Sequence, residues 1–354
     1  MNRSSHVCLF LLATLSASAQ QPSNSVHPAK ALGTEKTLIS GLSEAQRLLD
    51  QGQLDEALNA TDVLTRERPE PQGVERLRGK AFYLKANLED ADGALQKAIA
   101  QDPNDKEALQ IRGVTLFKMG HPQEAIPLLE QAHGNLISLN IDGRYVLALC
   151  YMTAHRYDES RHYFATLYGL QADTASSYLL FARMLLRWQN PSAAQEMARK
   201  ALALNPDLPL AHLVAGQVAL GDGNFDDALR EFLREAAINP MYGSVYDRLG
   251  DAYLQKNQYE KAREALNRAL LLEPDTTGPY ILLGQVLLKE NNPTMAATYL
   301  QHAVQMDPRN KLTHFFLGQA YRAMGKKQNA IHEFEATEKI GAAEGHGESP
   351  LAAK

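Results

Sequence analysis

Three short stretches of this sequence combine residue types that are able to do chemistry. Residues 221–227 read GDGNFDD, and aspartates among glycines are typical of calcium- or phosphate-binding loops. Residues 155–162 read HRYDESRH, where two histidines flank two carboxylates that together form a candidate metal-ligand set. Cys150 is a lone thiol, because the other cysteine of the chain lies in its first ten residues. Each chemistry requires a particular spacing, which decides whether these residues can perform it.

None of the three stretches has that spacing. The glycine-rich stretch lacks the acid pattern of a calcium loop, and no lysine follows it as in a phosphate-binding loop. His155 and His162 are seven residues apart, whereas ligands on one helix face are usually three or four residues apart. No histidine neighbours Cys150, so we interpret it as a small packing residue. We interpret the other two stretches as a turn and a solvated surface, and we expect no catalytic residue, metal or cofactor.

These stretches lie within a pattern of residue types that recurs every 34 residues along the chain. Frames of that length begin at residues 38, 72, 106, 141, 175, 209, 243, 277 and 311, with one extra residue, Asn140, before the fourth. Position 8 is Gly or Ala in all nine frames, and position 20 is Ala in eight frames and Ser160 in the fourth. Position 32 is proline in six frames. Between these columns apolar residues follow helical spacing, so each frame is predicted to hold two helices.

Each column has a physical reason within a pair of helices. Small residues at positions 8 and 20 would let two helices approach closely, while bulky residues at positions 11, 17 and 24 fill the space beside the crossing. Proline at position 32 has no N–H donor and cannot continue a helix, so it separates one pair from the next. Residues 249–274, LGDAYLQKNQYEKAREALNRALLLEP, show the whole pattern and closely resemble the tetratricopeptide repeat.

The resemblance implies an all-α fold, a right-handed superhelical solenoid of antiparallel helix pairs over residues 38–344. The pattern is weakest at 133–142, where the proline is missing and Asn140 is inserted, so we expect a local bend or looser stacking there. In the first frame Gly41 and Thr61 replace bulky residues, and this repeat is expected to act partly as a cap. Because the repeats fill the chain beyond its N-terminal segment, they leave no room for a catalytic domain, and the protein is predicted not to be an enzyme.

The two ends of the chain differ in composition from the repeats. Arg3, the apolar run at 7–15 and the small residues at 17–19 predict a secretory signal peptide, residues 1–19, that is cleaved near Ala19. The polar and small residues at 20–37 and 345–354 predict a disordered linker and a disordered tail. No later stretch is long and apolar enough to span a membrane. The mature protein is therefore expected to be exported, to the periplasm or the medium of a bacterium.

The family resemblance also implies a partner-binding groove. In tetratricopeptide proteins the first helix of each pair lines a concave surface with positions 2, 5, 9, 12 and 13. Here the predicted groove consists of Tyr145, Leu149, Arg183, Arg187, Leu213, Gln217, Asp247, Asp251, Ile281, Gln285, Phe315 and Gln319. Apolar surface of this kind is typical of partner sites, and amides at position 9 can bond to a peptide backbone. The alternative is that the polar members are merely solvated and the apolar members pack between repeats.

Two functions from different classes follow. The first is a non-catalytic scaffold that binds another protein, as a peptide or an amphipathic helix, in cell-envelope assembly or secretion. The second is a glycan- or lipid-binding solenoid or a non-catalytic subunit of an envelope glycosyl-transfer or export complex, which a deep pocket near Tyr145, Met152 and Trp188 would favour. The net charge of -5 argues against nucleic acid as a partner. Family members that bind a C-terminal carboxylate have Lys at position 5 and Asn at position 9 of one repeat, and no frame here has that pair, which argues against such a partner. Self-association through the terminal repeats is compatible with either function.

Overall fold

A computed structural model of the protein describes residues 28–67, 70–132, 137–138 and 141–345. Eighteen helices lie in these ranges: α1 (Pro28–Asp50), α2 (Leu54–Leu64), α3 (Val74–Leu84), α4 (Leu88–Gln101), α5 (Lys106–Lys118), α6 (Pro122–Ala132), α7 (Gly143–Thr153), α8 (Tyr157–Leu167), α9 (Ala175–Arg187), α10 (Pro191–Leu204), α11 (Ala211–Gly221), α12 (Phe225–Ile238), α13 (Gly243–Gln255), α14 (Tyr259–Leu272), α15 (Thr277–Lys289), α16 (Pro293–Met306), α17 (Lys311–Ala323) and α18 (Lys327–Gly345). Two short strands, β1 (Ile137–Ser138) and β2 (Ile141–Asp142), complete the described elements. Each frame holds two helices, as predicted.

The chain divides into two compact units, one ending at His121 and the other beginning at Pro122. The first unit holds α1–α5, and the second holds α6–α18 with β1 and β2. Within each unit, every helix packs against the next one along the chain. The structure therefore confirms the predicted all-α class and the solenoid of stacked helix pairs.

Where position 8 is glycine, the close approach of the two helices of a pair requires it, as the sixth and seventh frames show. A Cβ atom on Gly216 would lie 2.5 Å from a ring carbon of Phe232, and one on Gly250 would lie 2.4 Å from Leu266. Phe232 and Leu266 both occupy position 24 and are fully buried. The bulky residue of the second helix thus occupies the volume that a side chain at position 8 would need. The two columns identified in the sequence are complementary halves of one contact.

A left-handed residue ends the first helix of every frame. Position 15 has a φ between 55° and 84° in all nine frames. This is the conformation of the residue that follows a helix C-terminus, and glycine adopts it at the lowest cost. The nine residues are Gly52, Ala86, Gly120, His155, Gln189, Gly223, Asn257, Asn291 and Gly325. The glycine-rich stretch at 221–227 and the first histidine of HRYDESRH are therefore parts of inter-helix turns, as the sequence predicted for the former.

The irregular junction between the third and fourth frames contains the two strands. β1 and β2 pair antiparallel, with Ile137 opposite Asp142 and Ser138 opposite Ile141, a feature that the helical pattern did not predict. Asp142 then caps α7 by accepting a hydrogen bond of 2.9 Å from the backbone N–H of Arg144. The Arg144 guanidinium also donates to this carboxylate, and these hydrogen bonds lower the pKa of Asp142. Residues 133–136 and 139–140 lie outside the described ranges, so the predicted bend stays a prediction.

The chain ends beyond the repeats are described only in part. The predicted signal peptide, residues 20–27 of the predicted linker and the tail after Gly345 lie outside the described residues. Residues 28–37 differ from the expected disordered linker, because they form the first turns of α1. This segment, PAKALGTEKT, is rich in Ala, Leu, Lys and Glu, which are favourable helix formers. Among the described helices, none is long and apolar enough to cross a membrane.

Candidate partner-binding groove

Cys150, His155 and His162 were the candidates for chemistry in the sequence, and the structure shows where each of them lies. Cys150 is fully buried, which raises the pKa of its thiol to about 12, so the thiol stays protonated at neutral pH and cannot cross-link two chains. Nδ1 of His155 lies 2.6 Å from the Tyr157 hydroxyl, and His162 is exposed on α8. In the part of the chain that the structure describes, no three His, Cys, Asp or Glu side chains gather as a metal site would require.

Five first helices of the second unit, α9, α11, α13, α15 and α17, form a continuous row. From α9 to α17, each first helix contacts the next first helix as well as the second helix of its own pair. Side chains at positions 5, 9, 12 and 13 are therefore presented by neighbouring helices at regular intervals. This arrangement supports a groove along the first helices, as predicted. Helices hold side chains in place better than loops do.

One open groove of about 650 Å³ lies on α9, α11 and α13, and we call it the central groove. Its volume is within the range of binding sites, although it is an open surface rather than an enclosed cavity. Its lining combines apolar and polar side chains: Leu186, Gln217, Leu220, Gly221, Gly223, Phe225, Arg248, Asp251 and Gln255. Gln217 and Asp251 belong to the groove that was predicted from the sequence, and the structure brings these two together.

The twelve predicted groove residues fall into three groups by exposure. Tyr145, Arg183, Arg187 and Phe315 are exposed, and Gln217, Asp247, Asp251, Gln285 and Gln319 are partly exposed. The remaining three, Leu149, Leu213 and Ile281, are buried, with 7–8% of their surface exposed. Leu213, for example, belongs to a core cluster that includes Val245 and Leu249 of α13. For these three leucine and isoleucine side chains the alternative interpretation holds, because they pack between helices and offer little surface to a partner.

The stretch of α13 at the groove carries two acids and one base, of which Arg248 and Asp251 line the groove and Asp247 does not. One oxygen of Asp247, Oδ1, is buried and has no hydrogen-bond partner. Burial raises the pKa of Asp247; Arg248 opposes this shift, and the negative charges of Asp251 and Glu273 add to it. Asp251 accepts a hydrogen bond of 3.1 Å from the side-chain amide of Gln255. Oδ1 of Asp247 would lie 3.3 Å from a Cβ atom on Gly278 of α15, so this oxygen does not face the groove. From α13 the groove therefore receives one acid, Asp251, and one base, Arg248.

α9 carries two basic residues beside the groove, although Leu186 is the residue of this helix that lines it. Arg183 and Arg187 lie one helical turn apart and are exposed. Neither makes an ion pair within the described ranges, whereas several arginines of neighbouring helices do, such as Arg161 with Asp173 at 2.9 Å. These two guanidinium groups are available to carboxylates of a partner.

Sequence reasoning missed part of the central groove. Arg248 is at position 6 and Phe225 at position 17, outside the columns that the family resemblance assigns to the concave surface. Gly221 leaves space in the groove, since a Cβ atom there would meet nothing within 4 Å. The signal in the sequence was that Gly221 is the one glycine among the nine residues at position 13. The absence of a side chain at Gly221 therefore widens the central groove.

Comparison with curated proteins and solved structures finds other helical repeat proteins. Anaphase-promoting complex subunit 7 of Dictyostelium discoideum is 25% identical over 149 residues, which are 42% of this chain and 25% of the relative. This chain thus spans about a quarter of the length of that curated relative. Yeast Tom70 is similar over 86% of this chain and 92% of its own, at 15% identity and a TM-score of 0.42. YrrB, described as a TPR protein with an unusual peptide-binding site, is similar over 48% of this chain and 87% of its own, at 21% identity and a TM-score of 0.40.

Family models match most of the repeat frames. A model of anaphase-promoting complex, cyclosome, subunit 3 matches residues 85–167, and a model of the TPR repeat matches residues 250–291. A model of the tetratricopeptide repeat matches residues 42–109, 179–243 and 281–344, which together are more than half of the chain. On this match and the eighteen helices in the described residues, the chain belongs to the tetratricopeptide repeat family.

Proposed function

We propose that this protein is a non-catalytic scaffold that binds a peptide or an amphipathic helix of another protein in the central groove. The observation that carries the proposal is the groove itself, where Gln217, Asp251 and Gln255 lie beside Leu186 and Leu220 on three packed helices. Amide and carboxylate groups bind backbone or side-chain donors, and the leucines contribute apolar contact area. Such a mixed and open surface fits a protein segment better than a small molecule, which an enclosed apolar pocket would bury.

We further propose that each of the nine helix pairs is one tetratricopeptide repeat and that the mature protein acts after export. The N-terminal composition supports export, because it has the charge, the apolar run and the small residues of a signal peptide. Export would place the scaffold in the periplasm or the medium of a bacterium, where cell-envelope assembly or secretion is the process that it would serve. Cleavage near Ala19 is checked by N-terminal sequencing of the protein recovered from the periplasm and from the medium.

The glycan- or lipid-binding alternative has less support. The pocket that would favour it was expected near Tyr145, Met152 and Trp188. Met152 is only 3% exposed, so it cannot contribute to such a pocket, while Tyr145 and Trp188 are more than 40% exposed. Self-association through the terminal repeats stays a prediction; Leu312 and Ile331 of the last pair are exposed apolar residues, and sedimentation velocity of the mature protein tests it.

The scaffold function is tested by filling the groove without disturbing the core. Gly221→Trp places a large side chain where a Cβ atom meets nothing within 4 Å. Gly93→Trp on α4 is the matched control, because Gly93 is also an exposed helical glycine with free space around it and does not line the central groove. Both variants should keep the circular dichroism spectrum of the original protein.

The three proteins are then used as baits for an envelope extract. A protein that is retained by the original chain and by Gly93→Trp, but lost with Gly221→Trp, would support binding in the central groove. Equal retention by all three baits would contradict the groove as the site. Retention of no protein, together with binding of a glycan or lipid fraction, would replace the scaffold by the alternative function.

A further inference from the structure

We propose that a pocket of about 250 Å³ between α10, α11 and α12 binds a phenylalanine side chain of a partner protein. We call it the alanine pocket, after Ala215 and Ala219 of α11, which lie at its base. None of its lining residues lines the central groove. By helical spacing, its residues on α11 lie on the opposite side of that helix from Gln217 and Gly221. The pocket is therefore a second site, beyond the proposed function and independent of the central groove.

The alanine pocket exists because α11 lacks two large side chains. Ala215 and Ala219 occupy positions 7 and 11 of the sixth frame, and in the other eight frames both positions hold long or bulky residues. Position 11 is Leu, Phe or Tyr in all eight of those frames. The two alanines leave space that the neighbouring helices do not close. Since an apolar cavity of about 150 Å³ already holds a benzene ring, the pocket has room for a phenyl ring.

The fourth and ninth pairs show which side chain fills the corresponding space. Position 11 is Tyr151 in the fourth pair and Tyr321 in the ninth, and both are buried. The Tyr151 hydroxyl donates to Glu130, and the Tyr321 hydroxyl accepts from Nε2 of Gln301 at 2.6 Å. In both cases the bonded residue is at position 25 of the preceding frame. Arg199 occupies that position before α11 and lines the alanine pocket, so an aromatic ring there has a counterpart in two other pairs.

Apolar side chains line the base of the pocket. Ala215, Val218 and Ala219 are only 4–9% exposed, and Leu202 of α10 lines the pocket beside them. A ring that enters from solvent places its tip against these four residues, none of which offers a hydrogen-bond partner to a phenol hydroxyl. Phenylalanine therefore fits this base better than tyrosine does. The volume is below that of most small-molecule sites, whereas one aromatic side chain anchored in a pocket is typical of protein interfaces.

The rim of the pocket offers one donor and one acceptor to the backbone that carries the ring. Of its charged residues, Asp227 pairs with Arg230 at 2.9 Å, and Glu231 bonds to a buried histidine of α11 at 2.6 Å. Arg199 and Asp222 are exposed, and within the described residues neither makes an ion pair or a side-chain hydrogen bond. The guanidinium group can donate to a backbone carbonyl of the partner, and the carboxylate can accept from a backbone N–H.

The test is an NMR titration of the mature protein, labelled with ¹³C at its alanine methyl groups, with N-acetylphenylalaninamide. A bound ring should shift the methyl signals of Ala215 and Ala219, with half-saturation at about 1 mM. N-acetylalaninamide has the same backbone without the ring and should bind at least tenfold more weakly. Equal affinities of the two amides would overturn the proposal, and so would the absence of any shift of these two signals.

Two variants fill the pocket with residues that other frames already use. Ala219→Leu and Ala215→Leu each introduce the leucine that four other frames have at the same position. Each should weaken N-acetylphenylalaninamide at least tenfold and raise the midpoint of urea unfolding, because the added side chain fills empty space. Original affinity in two folded variants would show that the ring binds elsewhere. A lower midpoint in both would show that the space for a ring does not exist.

Two further probes test the partner and separate this site from the central groove. Arg199→Ala and Asp222→Ala should each weaken the phenylalanine amide several-fold and leave the affinity for ethylbenzene, which has no amides, unchanged. Tighter binding of ethylbenzene than of the amide would overturn a protein partner in favour of a free apolar molecule. Gly221→Trp should not change the binding of either probe, because Gly221 does not line the alanine pocket. Failure of the central groove and failure of this pocket are therefore seen in different variants.

Discussion

The sixth and seventh helix pairs, α11 with α12 and α13 with α14, have the same fold but hold it together with different chemistry. In the sixth pair the buried His212 bonds to Glu231 of α12 at 2.6 Å and to the carbonyl of Pro206 at 2.9 Å. In the seventh pair the same position is Tyr246, whose hydroxyl donates to the carbonyl of Pro240 at 3.1 Å. Both residues tie the first helix to the proline carbonyl of the preceding turn. Only the histidine also bonds to a carboxyl group of the second helix.

The carboxylate that caps the first helix also differs between the two pairs. Glu235 at position 27 is fully buried and accepts from the backbone N–H groups of Leu210 at 2.8 Å and Leu213 at 3.3 Å. In the seventh pair Glu273, one helical turn later at position 31, accepts from the backbone N–H of Ser244 at 3.2 Å. The unpaired N–H groups of a helix N-terminus are thus satisfied from the second helix in both pairs. The position of the acid in the repeat is free to move by one turn.

The ninth pair repeats the solution of the sixth. His314 bonds to Glu333 at 2.6 Å and to the carbonyl of Pro308 at 3.0 Å. Across the nine frames, position 23 is Glu only in the two frames that have His at position 4. Both histidine nitrogens face oxygen acceptors, so the full set of bonds needs a proton on each nitrogen or one on the glutamate. Positions 4 and 23 therefore act as one unit, which is His with Glu in two frames and Tyr with Ala in the seventh.

The largest expected loss of stability follows from removing Glu235, the buried carboxylate that caps α11. Glu235→Ala would leave the N–H groups of Leu210 and Leu213 buried without an acceptor, and we expect it to lower the free energy of unfolding by about 3 kcal/mol. Glu273→Ala is the matched control, expected to cost about 1 kcal/mol because Glu273 is partly exposed and water can replace it. Urea denaturation followed by circular dichroism measures both. Equal losses would show that the burial of Glu235 adds nothing to its role as a cap.

The next effect tests whether the histidine and glutamate act as a unit. Glu231→Ala alone removes the acceptor of a buried imidazole nitrogen and should cost about 2 kcal/mol. The double variant His212→Tyr with Glu231→Ala reproduces the seventh pair, which has Tyr246 and Ala265 at these positions. We expect it to cost about 1 kcal/mol or less, because the tyrosine can donate to the carbonyl of Pro206.

The same exchange in the ninth pair is an independent check of that prediction. His314→Tyr with Glu333→Ala should be milder than Glu333→Ala alone, by a similar margin in a urea titration. If the double variants are as destabilised as the sum of their single changes, the two versions of the contact are not interchangeable. The co-occurrence of His and Glu in two frames would then have no energetic basis.

The fold was predictable because its signals are local and repeated nine times. Small residues at positions 8 and 20 predicted close helix pairs, and the contact of Gly216 with Phe232 shows why. The role of Glu235 could not be predicted in this way, since it depends on N–H groups about 25 residues earlier in the chain. The groove was predicted only in part for a similar reason. Repeat position places Leu213 on the inner side of α11, but the packing of α13 decides that it is buried.

A third prediction concerns two glycines at the end of α11 that the seventh pair replaces with Gln255 and Asn257. Neither Gly221 nor Gly223 has an atom within 4 Å of an added Cβ, so backbone conformation alone should decide the outcome. Gly221 is helical, and Gly221→Ala should stabilise the protein by about 0.5 kcal/mol. Gly223 has a φ of 77°, and Gly223→Ala should cost about 1 kcal/mol. Thermal unfolding of the two variants, which add the same methyl group, would refute this account if the midpoints moved in the same direction.

The smallest effect contrasts two carboxylates, the fully buried Glu235 with its acceptor sites filled and Asp247, of which one oxygen is buried and unpaired. Burial raises the pKa of Asp247 in the folded protein above its value in the unfolded chain. The folded state therefore binds this proton more tightly, and the contribution of Asp247 to stability is lost as the pH rises through the folded pKa. Asp247→Asn removes the buried charge, so it should stabilise the protein slightly at pH 7.

That gain should disappear when the pH falls below about 3.9, where aspartate is protonated in the unfolded chain as well. Urea unfolding of the original protein and of Asp247→Asn at pH 7 and pH 3.5 measures the difference. A gain of equal size at both pH values would mean that the charge of Asp247 is already compensated in the folded protein.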